Sequence, residues 1–113
     1  MTISEVKMRV LNTANSLIDT YFDGGDLTER FINSTLKIIM KQNIHKIDDM
    51  FNLFANKNGE IDLEMMVNEY ASMIPDEGIV FDLREHVTNE LVRGMLPDKV
   101  LIINRDDVLS ILN

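Results

Sequence analysis

Oxygen-bearing residues concentrate in one short polar segment, residues 56–62, whose sequence is Asn-Lys-Asn-Gly-Glu-Ile-Asp. Amide, carboxylate and backbone carbonyl oxygens are the ligands that hard divalent cations such as Ca²⁺ prefer. The oxygen donors at this spacing are the side chains of Asn56, Asn58 and Asp62 and the backbone carbonyl of Glu60. These four residues form the candidate metal site of the chain.

The same segment resembles the middle of the calcium-binding loop of EF-hand proteins. When Gly59 takes the sixth place of that loop, the two asparagines and the aspartate fall on the third, fifth and ninth places. The resemblance implies a helix-loop-helix unit that responds to divalent cations. It departs at the first and twelfth places, where Phe54 and Met65 replace the oxygen ligands, so we expect no tight calcium binding. The alternative is a polar turn in which Gly59 adopts a positive φ.

Residues for nucleophilic or zinc catalysis do not converge in the sequence. The chain has no cysteine, which excludes thiolate nucleophiles and thiolate metal sites. His45 and His86 have no second histidine three or four residues away, and no serine lies in a G-x-S-x-G turn. We therefore expect a protein that is not an enzyme and that uses no cofactor.

Apolar residues suited to partner binding occur on the predicted first, third and fourth helices. Helix one carries a near-heptad row of apolar residues, so it is suited to burying one face inside the domain and offering another to a second copy. Methionine, whose flexible thioether adapts to varied partners, occurs eight times in the chain. The candidate partner-binding residues are Val10, Leu17, Met50, Met65, Met66 and Met73. The alternative for the methionines is packing inside the core.

Apolar spacing and capping residues predict one mainly α-helical domain over residues 1–113, a compact bundle of five or six helices. Residues of N-cap type precede most of the predicted helices, at Thr2, Asp26, Asp62, Asp82 and Asn104. A further helix is predicted between a break near residues 42–43 and residue 54. The helix that follows Asp82 is predicted to continue to about residue 95.

The second predicted helix carries apolar and basic residues on separate faces. The face predicted to pack against the core consists of Leu27, Phe31, Leu36, Ile39 and Met40. A basic row on the polar side consists of Arg30, Lys37 and Lys41, with Lys46 after it. Because no aromatic residues alternate with these cations, the row favours a solvated face over a nucleic-acid site.

One strand is predicted at residues 99–103, the only continuous apolar run rich in β-branched residues. A single strand is unstable and needs a partner. The nearest candidate is the segment 60–62, because both segments lie between a helix end and a helix N-cap. We expect at most one very short two-stranded antiparallel ribbon, formed by these two segments.

Charge and composition exclude several classes of protein. The 113 residues carry a net charge of −8, which disfavours binding to nucleic acid, and residues 57–113 hold most of the excess acid. The sequence has no apolar run long enough for a membrane span and no leader pattern, and together with the lack of cysteine this favours a cytoplasmic location without a membrane partner. Abundant isoleucine and asparagine, which have AT-rich codons, favour a phage, mobile-element or low-GC bacterial source.

Three functions remain open on the sequence. The first is a small acidic, non-catalytic protein that binds another protein or forms a homodimer through helix one or through helices three and four. The second is the divalent-cation-responsive helix-loop-helix module. The third is an acidic inhibitor or DNA mimic whose C-terminal half binds a basic protein.

Overall fold

The chain forms two long helices, several short ones and a small ribbon. The structure is a computed structural model that describes residues 1–86, 88–95 and 101–113. The α-helices are α1 (Ile3–Tyr21), α2 (Leu27–Asn43), α3 (Asp48–Asn52), α4 (Leu63–Ser72), α5 (Glu90–Met95) and α6 (Arg105–Leu109). The strands are β1 (Ile79–Phe81) and β2 (Leu101–Ile103), and 3₁₀ turns lie at Ile44–Ile47, Leu83–His86 and Ser110–Leu112. The prediction of a mainly helical chain is confirmed. The count of five or six helices stays a prediction, because three of these α-helices have six residues or fewer.

The helices begin where short polar side chains accept hydrogen bonds from the first turn. Thr2 Oγ1 accepts from the Glu5 N–H at 3.3 Å, and Asp26 Oδ1 accepts from the Glu29 N–H at 2.8 Å. Asp62 performs the same task for α4, accepting from the Met65 N–H at 3.1 Å. Each bond satisfies a backbone donor that has no partner inside the helix, which is why these positions were predictable.

Two of the predicted helices differ in the structure. The break near residues 42–43 is a change of helix type, because α2 ends at Asn43 and a 3₁₀ turn precedes α3. The prediction of one continuous helix from residue 83 to 95 was wrong. Asn89 Oδ1 accepts from the Leu91 N–H at 3.0 Å, so Asn89 starts a new helix one turn after the 3₁₀ turn ends.

The ribbon is antiparallel, but its strands are not the predicted pair. β1 pairs with β2 in the register Ile79↔Ile103, Val80↔Ile102 and Phe81↔Leu101. The segment 60–62 was therefore the wrong partner, and residues 99 and 100 of the predicted strand lie outside the described residues. Ile61 instead forms an isolated bridge with Ala55 and donates its N–H to the Met1 carbonyl at 2.7 Å.

Gly78 is the residue that allows β1 to lie against β2. Its φ is +81°, in the region that favours glycine, and a Cβ at this position would lie 2.8 Å from Asn104 Oδ1 and 2.9 Å from Ile102 Cγ2. The Tyr21 hydroxyl, at the end of α1, holds the edge of β2 that faces away from β1. It donates to the Ile102 carbonyl and accepts from the Ile102 N–H, both at 3.2 Å.

Most of the buried residues form two clusters joined by α1. The first cluster contains Ile18, Phe22, Ile32 and Leu36. The second contains Val6, Ile44, Phe51, Ile61, Met66 and Val67. α1 supplies residues to both clusters, and the molecule measures 46 × 29 × 23 Å. The radius of gyration of 15.1 Å is above the ~13 Å typical of a compact domain of about 100 residues, and the compact packing of the helices stays a prediction.

Candidate functional site

The loop at residues 56–62 uses its oxygen atoms for its own hydrogen bonds. Asn56 Oδ1 accepts from the N–H groups of Asn58 at 2.9 Å and Glu60 at 3.0 Å, while the Glu60 carbonyl accepts from the Asn56 N–H at 2.8 Å. Asp62 caps α4, and Gly59 adopts a φ of +74°. Among the described residues, no three His, Asp or Glu side chains are grouped so that they could hold a metal ion. Cation binding at this loop stays a prediction.

His45 belongs to a polar contact between α1 and α3 that the sequence pattern did not indicate. Lys7 Nζ donates to His45 Nδ1 at 2.9 Å and pairs with Asp48. The Lys7 side chain is only 13% exposed, so this ammonium group joins two segments at the surface of the second cluster. Its geometry indicates a structural contact. The side chain of His86 lies outside what the structure describes.

The six predicted partner-binding residues divide into interior and surface positions. Met66 is 2% exposed, so assigning it to a partner surface was wrong. Val10 packs against the second cluster and keeps part of its side chain exposed, so its place in a partner surface stays a prediction. Leu17 is half-buried. The side chains of Met50, Met65 and Met73 are about half exposed. Met65 and Met73 lie on one side of α4, but the charged Glu69 stands between them, so they form no continuous apolar patch.

A continuous uncharged patch lies instead on α2, on the side away from the core. Leu27, Phe31 and Ile38 are 82%, 45% and 57% exposed, and their spacing places them on one side of the helix. The exposed polar residues Ser34 and Gln42 share that side. We call these five residues the α2 outer face. The row from Leu27 to Ile38 is about 16 Å long at 1.5 Å per residue.

The prediction that Leu27 and Phe31 pack against the core was wrong. Ile32 and Leu36 form the core-facing side of α2, at 1% and 5% exposure. Apolar residues therefore occupy two nearly opposite sides of the helix, and α1 covers only one of them.

A row of cations borders the α2 outer face along one edge. Lys37 pairs with Asp19 at 2.6 Å, and Asn33 donates to the same carboxylate at 2.8 Å. These hydrogen bonds from Asn33 and Lys37 lower the pKa of Asp19. The other two cations are Arg30, which donates to the Gly24 carbonyl at 3.1 Å, and the exposed Lys41. The edge is basic on a chain whose net charge is −8.

An apolar cavity of about 420 Å³ lies between α1, α2 and the ribbon. Leu17 and Ile18 of α1, Leu36 and Met40 of α2, and Phe81 and Leu101 of the ribbon contribute to its walls. Every described residue of its lining is apolar except Asn43 and Lys46. The sequence pattern did not predict this cavity, because its walls come from segments more than 80 residues apart.

A second, shallower groove of about 750 Å³ lies between α1 and the C-terminal residues 107–113. Its α1 side is lined by charged, apolar and neutral polar residues, among them Arg9, Met8 and Asn12. Arg9 donates to the carbonyls of Ile111 at 3.4 Å and Leu112 at 3.2 Å, so its guanidinium holds the C-terminal segment against α1.

No model of a known protein family matches this sequence, and neither the curated proteins nor the solved structures give a match. No helix among the described residues has the length and apolar character needed to cross a membrane.

Proposed function

We propose that this chain is a non-catalytic interaction protein that binds a protein partner through the α2 outer face. The observation that carries the proposal is the uncharged row of Leu27, Phe31 and Ile38, which are 82%, 45% and 57% exposed on one side of α2. Single exposed apolar residues are ordinary on protein surfaces, whereas an exposed apolar row with polar borders is typical of an interaction site.

The exposed area of these three apolar side chains limits the binding free energy that they can contribute. Complete burial of a Leu, Ile or Phe side chain is worth roughly 1.5–3 kcal/mol, so burying the exposed parts of these three contributes about 4 kcal/mol. A binding free energy of that size corresponds to a dissociation constant of only about 1 mM. The apolar row therefore needs additional contacts, and the basic edge of α2 is adjacent to it.

The basic edge defines the chemistry of the partner. Arg30 and Lys41 form no ion pair with a carboxylate among the described residues, and they lie beside the apolar row. A complementary partner is an amphipathic helix with an apolar stripe and acidic residues along one border. In an antiparallel pairing of two copies of α2, the same edge of each helix faces the other, so cations would meet cations. Charge thus favours a different, acidic chain over an antiparallel pair of α2 helices.

An anionic membrane surface is a weaker candidate for the α2 outer face. Anionic lipids attract basic segments, but the net charge of −8 on the whole chain opposes that approach. The cation-responsive and acidic-inhibitor functions stay predictions, since no contact described for this chain favours either.

The proposal is tested with two matched double variants of the full-length chain. Phe31→Ser with Ile38→Ser alters the α2 outer face. Met65→Ser with Met73→Ser removes two similarly exposed apolar side chains from α4 and its C-cap. Affinity capture from the native host should recover the same partner with wild type and with the α4 variant, and lose it with the α2 variant. The captured partner, purified, should then bind wild type in calorimetry with an affinity that falls as salt rises.

Two results would overturn this function. One is capture of an identical partner by the α2 variant, which would place the interface elsewhere. The other is a different occupant of the α2 outer face. Recovery of only a second copy of the chain would make the partner this chain itself, and binding to anionic vesicles without a protein partner would make it a membrane.

A further inference from the structure

The cavity between α1, α2 and the ribbon has the composition of a ligand site. Its volume of about 420 Å³ falls within the range of roughly 300–1,000 Å³ found for small-molecule sites. Ile18, Leu36 and Leu101, which help to form its walls, are 5–6% exposed, so part of the lining is core. A ligand that fills this space must be almost wholly apolar.

Two polar residues stand at one end of the cavity, where the 3₁₀ turn follows α2. Lys46 lines the cavity and is itself exposed, so this end meets solvent. Lys46 forms no hydrogen bond or ion pair with another residue in the described ranges. The Asn43 Nδ2 atom donates one hydrogen to the Ile39 carbonyl at 2.7 Å, which leaves its second N–H for a ligand.

No carboxylate occurs among the described residues of this lining. Lys46 is the one charged residue in the described part of the lining, in a chain with 19 acidic and 11 basic residues, so the cavity favours an anionic group over a cationic one. An ammonium group beside an apolar space stabilises a molecule with one anionic head and a hydrocarbon body.

We propose that this cavity binds a single-chain aliphatic carboxylate, with the hydrocarbon chain between α1, α2 and the ribbon and the carboxylate at Lys46 and Asn43. The register of the ribbon supports this arrangement. Phe81 and Leu101 are directly paired, and both line the cavity together with Ile103, two residues further on β2. The ribbon thus presents one apolar face to the ligand.

The test uses dodecanoate and the full-length chain in isothermal titration calorimetry. We expect one molecule of dodecanoate to bind per chain, and dodecanol, which lacks the charge, to bind more weakly. Lys46→Gln should weaken dodecanoate binding about tenfold and leave dodecanol binding unchanged, because a charged hydrogen bond is lost. Lys41→Gln is the matched control, since Lys41 is an exposed lysine of α2 outside the described lining, and it should leave both affinities unchanged.

Filling the cavity separates specific binding from general attraction to an apolar surface. Ala14 lines the cavity, and Ala14→Phe should abolish the binding of both ligands. If that variant fails to fold, nuclear Overhauser effects between the terminal methyl group of dodecanoate and the Met40 methyl group in the wild type decide the question. Absence of these effects, multi-site binding that Ala14→Phe leaves intact, or an equal loss in Lys41→Gln and Lys46→Gln would each overturn the proposal.

Discussion

Replacing Tyr21 with Phe tests how the ribbon is held against the helices. The Tyr21 hydroxyl makes two hydrogen bonds, to the carbonyl and the N–H of Ile102. In an antiparallel pair, every second residue of a strand points its N–H and its carbonyl away from the partner strand. Ile102 is such a residue, and the Tyr21 hydroxyl provides the hydrogen-bond partner for both groups. Both bonds measure 3.2 Å, which is the long end of the usual range for N–H···O and beyond it for O–H···O, so we count each at only about 0.5–1 kcal/mol. Tyr21→Phe should therefore lower the free energy of unfolding by about 1–2 kcal/mol.

Tyr70 provides the matched control for this measurement. Its hydroxyl makes one exposed hydrogen bond, to the Met50 carbonyl at 3.1 Å, so Tyr70→Phe should cost about 0.5 kcal/mol or less. Urea unfolding followed by circular dichroism measures both variants against wild type. A loss in Tyr21→Phe no larger than that in Tyr70→Phe would refute the role of Tyr21 in fastening the ribbon.

Three further predictions concern single side chains. The hydrogen-bond partners of Asp19 lower the pKa of its carboxyl group in the folded chain, so the stability that the carboxylate contributes is present above its ordinary pKa and is lost as pH falls through the lowered value. Asp19→Asn should therefore reduce the acid dependence of the melting temperature between pH 5 and 2. An unchanged dependence on pH would contradict this prediction. Arg105 donates to the Ala71 carbonyl at 3.2 Å and to the Ile74 carbonyl at 2.7 Å, at the end of α4. Arg105→Ala should therefore lower the free energy of unfolding in urea by about 1–2 kcal/mol. A loss below about 0.5 kcal/mol would show that water replaces these bonds. Met66→Ala should cost about 2–5 kcal/mol and its exposed neighbour Met65→Ala about 0.5 kcal/mol or less, and equal losses would mean that Met66 is not a core residue.

The helix starts were predictable from sequence because their causes are local. Thr2, Asp26 and Asp62 accept hydrogen bonds from donors three residues along the chain, and such a contact depends on nothing further away. The start of α5 was missed for a related reason. The apolar spacing runs through Asn89, and periodicity alone does not show where a side chain leaves the helix to cap a new one.

The ribbon was predicted in kind but not in partner, because strand pairing is decided over long distances. β1 has only three residues, and its apolar pattern is too short to distinguish a strand from a loop. Its place beside β2 depends on Gly78, which admits the close approach, and on Tyr21, which lies 81 residues from Ile102. Neither contact has a sequence pattern.

The candidate sites also depend on contacts between residues far apart in the sequence. The sequence of α2 shows apolar residues on two sides, and periodicity does not reveal that α1 covers Ile32 and Leu36 and leaves Phe31 exposed. The cavity beside Lys46 was not predictable either, because it needs α1, α2 and the ribbon in place together. Met66 and Met65 are adjacent and identical in type, yet one is buried and the other exposed, so composition alone did not separate core from surface.

The most direct test of the proposed interface is site-specific photo-crosslinking in the native host. The photoreactive amino acid p-benzoylphenylalanine is placed at position 31, on the α2 outer face, and separately at position 65 on α4. We predict that the photoreactive residue at position 31 forms one discrete adduct with a different, acidic protein, and that the residue at position 65 forms no such adduct. An adduct from position 65 alone, or an adduct from position 31 that contains only two copies of this chain, would contradict it.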